Sequence, residues 1–127
     1  MKLRDKILAK DDMKKEIVFI KEWDVSVGVQ SMTGLQRAEV LNIATSDGRI
    51  VHEKLHPELL IRCLFDPETG EQLFTDADRG SIMSKNASAI ELLVSTAMNV
   101  SGLGSKAVEE LEKNSGSDTL NGASTST

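Results

Sequence analysis

The apolar positions of this chain change period along its length, and each change predicts an element. Leu3, Ile7 and Leu8, at i, i+4 and i+5, line one side of a short amphipathic helix within residues 1–12, able to dock but too short to stand alone. Ile17, Val18, Phe19 and Ile20 form a β-branched and aromatic run. Val25, Val27 and Val29 then alternate with small or polar residues, the period of a half-buried strand. Two strands meeting near Glu22 to Asp24 follow, most simply as an antiparallel hairpin, although no Asn-Gly or Asp-Gly pair marks that turn.

From Thr33 the period is helical. Thr33 and Gln36 have the spacing of a capping box, and Leu35, Ala38, Val40, Leu41 and Ala44 supply the apolar positions up to a stop at Ser46-Asp47-Gly48. A second helix is predicted from Pro57 to Leu64, with proline tolerated in its first turn. Asp66-Pro67-Glu68-Thr69-Gly70 is a turn, and Thr75-Asp76-Ala77-Asp78 starts another helix with its acids at the positive end of the dipole. Residues 86–100 carry the clearest helix: Ile90, Leu93, Val94, Ala97 and Met98 repeat at i, i+3, i+4, i+7 and i+8 until Ser101-Gly102-Leu103-Gly104 breaks it. A last short helix is expected over Lys106–Lys113. Residues 115–127 hold one large apolar residue, Leu120, and are expected to be a disordered Ser/Thr/Gly-rich tail. The fold class is therefore α+β and mainly α-helical: an N-terminal β-hairpin, four to five short helices, a single globular domain over 1–114 and a disordered C-terminal tail.

Composition narrows the function classes. The chain has 127 residues, 39% hydrophobic and 28% charged, ordinary globular values. A net charge of −5 with no basic stripe and no interleaved aromatics argues against nucleic-acid binding, and against a helix-turn-helix regulator in particular. The basic start runs into Lys10, Asp11 and Asp12 instead of an apolar core, so no secretory signal is expected. No segment approaches the roughly 18 apolar residues of a membrane span. Cys63, alone in Leu59–Phe65, fits a small core residue in a reducing compartment better than a nucleophile.

One motif offers chemistry. His52-Glu53-Lys54-Leu55-His56 matches H-E-x-x-H, which sets two zinc-binding imidazoles one helical turn apart. Pro57 is expected to end a helix at the second ligand, and the chain has no third histidine, so the match is taken as chance. The Asp66 turn lacks the glycine and glutamate of a calcium loop, and no phosphate loop or nucleophile elbow occurs. No catalytic residue, metal site or cofactor is expected. Trp23 is either a ring folded onto the local core or an interface anchor. Met32, Met83 and Met98 are either gap-fillers or adaptable contacts.

The order of these pieces carries the remaining information. Lys21-Glu22-Trp23-Asp24-Val25-Ser26-Val27 and then Met32-Thr33-Gly34-Leu35-Gln36-Arg37-Ala38-Glu39 resemble the front of the tail assembly chaperones of long-tailed phages. Leu59 to Thr75 resembles that family's helix, turn and next helix start; Ser101-Gly102-Leu103 and Glu110 to Asn114 resemble its end. The resemblance spans roughly residues 15–114 and brings no catalytic or metal residue. It implies a non-enzymatic, oligomeric protein of the host cytoplasm, absent from the mature virion. Its implied partners are the tape measure protein, which it would keep soluble, and the tail tube protein. It also implies a minority frameshifted product. The partner-binding candidates are Phe19, Trp23, Val27 and Val29 on the hairpin and Ile90, Leu93 and Met98 on the long helix. The alternative is a structural tail-completion or head–tail joining protein of the virion.

Overall fold

The computed structural model describes residues 2–103. The expected helix over Lys106–Lys113, the Glu110–Asn114 match and the 115–127 tail lie outside the described residues. Within them the chain is α+β and mainly helical, as its periodicities predict. Five α-helices occur among the described residues: α1 (Leu3–Leu8), α2 (Gly34–Ala44), α3 (His52–Cys63), α4 (Arg79–Met83) and α5 (Ala87–Val100). The strands are β1 (Lys15–Ile20), β2 (Val25–Gln30), the short pair β3 (Thr45–Ser46) and β4 (Arg49–Ile50), and β5 (Leu64–Phe65).

β1 and β2 form the expected antiparallel hairpin around Lys21–Asp24, with Val18 opposite Val27 and Ile17 opposite Gly28. β5 adds antiparallel to β2 with Gly28 opposite Phe65, giving the order β1-β2-β5 and leaving β1 at an edge. Residues directly opposite share a face, so Val18, Ile20, Val27, Val29 and Leu64 point to one side and Ile17, Phe19, Gly28 and Phe65 to the other. The first side packs on α5, and the buried cluster there includes Ile20, Val29, Leu64, Leu93 and Ala97. On the second side the Phe65 ring lies over Gly28, where a Cβ would overlap it, and Lys15 Nζ stands 5.7 Å from the ring centroid.

The helix ends are set by local chemistry. Thr33 Oγ1 accepts from the Gln36 N–H at 3.1 Å, and Gln36 Oε1 accepts from the Thr33 N–H at 2.9 Å, the capping box read from the sequence. Asn86 caps α5 by accepting from the Ser88 and Ala89 N–H groups. At its far end Gly102 takes φ 73° and the Leu103 N–H returns to the Met98 carbonyl at 2.7 Å.

Two expectations are corrected. Ser46-Asp47-Gly48 does more than end α2: Asp47 (φ 52°) and Gly48 (φ 75°) form the two-residue turn of the β3–β4 hairpin. α3 starts at His52 instead of Pro57 and carries Pro57 in its interior. The pre-proline bias costs little against what the longer helix buries. Leu55, Pro57, Glu58, Leu59, Leu60, Ile61 and Cys63 are all buried, with α2 and α5 packed against them.

Burial on several sides leaves Glu58 inside. Its Oε1 accepts from Arg62 Nη1 at 2.7 Å and from Arg79 Nη2 at 3.1 Å, and its Oε2 accepts from Arg79 Nε at 2.6 Å. Burial pushes the carboxyl up, but hydrogen bonds from Arg79 and Arg62 outweigh it and hold it below its ordinary range. Arg79 is the first residue of α4, so this contact ties the Asp66–Asp78 connection back onto α3.

Gly28 supplies a direct test of the sheet. Gly28→Val should displace the Phe65 ring and lower stability by about 1–3 kcal/mol, the usual cost of overpacking. A denaturant melt with an unchanged midpoint would show that the ring yields freely.

Candidate functional site

The H-E-x-x-H residues end up closer to a ligand geometry than the sequence suggests. Because α3 runs through Pro57, His52 and His56 stand one turn apart on a continuous helix with ring centroids 5.6 Å apart, edge to face. Among the described residues, no group of three or more His, Cys, Asp or Glu is placed to hold a metal ion. His56 instead forms a wall of an open cleft of about 270 Å³, with Met83, Lys85, Ala87, Ile90 and Glu91. None of these lining residues carries a hydroxyl or thiol. Cys63 is fully buried, 3.9 Å from the Ser101 hydroxyl, and burial pushes its thiol up to about 11, so it is no nucleophile at neutral pH.

The surface is more informative than the clefts. Phe19 and Ile17 are 56% and 59% exposed, side by side on the sheet face turned away from α5. Lys15, Ser26 and Gln30 surround them on the same face, giving a small apolar patch with a polar rim. Of the other expected contact residues, Val27, Val29, Ile90 and Leu93 are buried in the core, and Trp23 and Met98 pack half-buried against it. The four buried residues support the patch from below, and Trp23 and Met98 keep part of their surface outside the core. Met32 also packs against the core, whereas Met83 is partly exposed in the wall of the cleft.

Ile17 is the exposed apolar residue of this patch that the contact residues expected from the sequence leave out. The signal was present: four consecutive apolar residues in a strand cannot all face one side, so a sheet with one covered face must show two of them to water.

His56 gives a pH-dependent prediction. Burial and then the neighbouring His52 push its imidazole below the ordinary value, against an opposing pull from Glu91. The folded chain thus binds this proton more weakly than the unfolded one. The stability held by neutral His56 is complete above about pH 6.5 and is lost as pH falls through the lower folded value. His56→Gln should flatten the fall in melting temperature between about pH 7 and pH 5. Parallel slopes for both proteins would assign that fall to other groups.

No family model matches this sequence, and no curated protein matches it. Among solved structures, the chain is similar to the bacteriophage HK97 tail assembly chaperone, with a TM-score of 0.56 over 77% of this chain and 91% of that one. Sequence identity across the match is 16%, so the likeness is carried by architecture and not by shared side chains. The chain therefore has the fold of the HK97 tail assembly chaperone.

Proposed function

We propose that this chain is a non-enzymatic tail assembly chaperone of a long-tailed phage, which binds the tape measure protein and keeps it soluble in the host cytoplasm. The observation that carries this reading is the fold shared with the HK97 tail assembly chaperone over most of both chains. The surface supports it physically. A holder of a long helical protein needs apolar area that stays open without its client, on a body stiff enough not to collapse over it. Ile17 and Phe19 meet the first need, and the buried inner face of the same strands, packed on α5, meets the second. A helix of about 10 Å diameter laid on this face would cover both side chains and add a layer to the sheet.

In this reading many copies coat one tape measure chain before the tail tube protein polymerises around it. The chaperone then leaves and is absent from the finished particle. A frameshifted minority product, where made, would link the complex to the tube. None of these steps calls for catalysis.

Co-expression with the large tape measure gene tests the proposal. The tape measure protein should move into the soluble fraction and co-purify with this chain in several copies, while washed virions lack it. A tape measure protein that stays insoluble, or this chain found as a stoichiometric virion component, would overturn the reading. The second outcome is what a tail-completion or head–tail joining protein would give.

A further inference from the structure

The segment before the first strand carries a helix that no other described element covers. α1 has no buried residue, and Leu3, Ile7 and Leu8 are 72%, 60% and 68% exposed on one side of it. Six residues without a side-chain N-cap do not hold a helix in water by themselves. The apolar stripe is what could hold it, once covered.

The arm is rooted beside a second uncovered stripe. Ser31 Oγ accepts from the Lys14 N–H at 3.0 Å, and the same hydroxyl donates to Met13 Sδ at 3.3 Å. Thr33, the cap of α2, follows two residues later. α2 turns Val40 and Ala44 inward, but Leu35 and Ile43 are 71% and 44% exposed, two turns apart with Glu39 between them. Both stripes are bare in the same chain, so one copy does not make the contact with itself.

Charge points to the occupant. Residues 2–10 carry Lys2, Arg4, Lys6 and Lys10 against Asp5 alone, whereas residues 11–103 carry fifteen carboxylates against nine lysines and arginines. A basic arm on an acidic body is attracted to other copies of that body, and Glu39, between Leu35 and Ile43, stays about half exposed while its Oε1 accepts from Arg62 Nε at 3.4 Å.

We propose that α1 is an exchange arm that docks Leu3, Ile7 and Leu8 on the Leu35–Ile43 stripe of α2 in a second copy of this chain. Since each arm is rooted at the start of α2, a two-fold arrangement lets both copies exchange arms reciprocally. The surface differs from the Ile17–Phe19 face, so the inference does not rest on the tape measure reading and can fail separately from it.

Two measurements on the full chain decide it. In sedimentation velocity the wild-type protein should associate with concentration, more weakly at high salt. Ile7→Glu, a change at an exposed site, should keep the circular dichroism spectrum and weaken association roughly tenfold or more. In the second, Ile7→Cys protein is mixed with Leu35→Cys protein under mild oxidation; the buried Cys63 thiol stays silent. A mixed disulfide between the two variants is expected. Several outcomes would overturn the proposal: a strictly monomeric wild type, Ile7→Glu associating as tightly as wild type, or the Ile7→Cys chain pairing with Phe19→Cys instead of Leu35→Cys. So would a double Ile7→Cys/Leu35→Cys chain that closes only on itself, which would seat the arm on its own α2.

Discussion

The carboxylate of Glu58 is the group around which the fold has to be arranged. α3 packs against α2 and α5 and buries most of its length, so a charge on its inner turns costs several kcal/mol unless partners meet it. Arg62, one turn on, supplies one guanidinium from the same helix. Arg79 supplies the second from a distant point in the chain, and it arrives only because the Asp66–Gly70 turn and the Thr75 capping box bring the connection back over α3. That return sets where α4 sits, and α4 leads within a few residues to the Asn86 cap of α5. One ion pair network therefore ties α3 to the first residue of α4, and the chain runs from there into the helix on which the sheet rests.

The rest of the molecule divides along the sheet. Its inner face is taken up by α5, which fixes Val18, Ile20, Val27 and Val29 as scaffold. Phe65 closes over Gly28 on the opposite face and leaves Ile17 and Phe19 uncovered at the β1 edge. Under the proposed reading, a protein that holds another chain has no use for a buried pocket or a perturbed nucleophile. It needs open apolar area with rigid support, and that is the contrast between the two faces of β1.

Local chemistry was legible in the sequence, and tertiary choice was not. The Thr33–Gln36 box, the Asp66-Pro67-Glu68-Thr69-Gly70 turn, the Asn86 start and the Gly102 stop each depend on residues within a few positions of one another, and each lies where the pattern places it. The start of α3 was misplaced because the pre-proline rule is local, whereas the gain from burying Leu55 through Cys63 comes from α2 and α5. Asp47-Gly48 is both a helix stop and a hairpin turn, and the helical period before it points only to the first. For the contact residues, periodicity shows that Val27, Val29, Ile90 and Leu93 share apolar faces. It does not show which faces another element covers, and those four are covered.

The role proposed for the outer face of β1 is tested most directly at Phe19. Phe19→Asp removes an exposed ring and breaks no core contact, so its melting temperature should stay within about 2 °C of wild type. If the outer face of β1 is the surface that holds the tape measure protein, capture of that protein by the variant should fall by roughly tenfold or more. Undiminished capture by a variant that melts like wild type would contradict the assignment of function to this face.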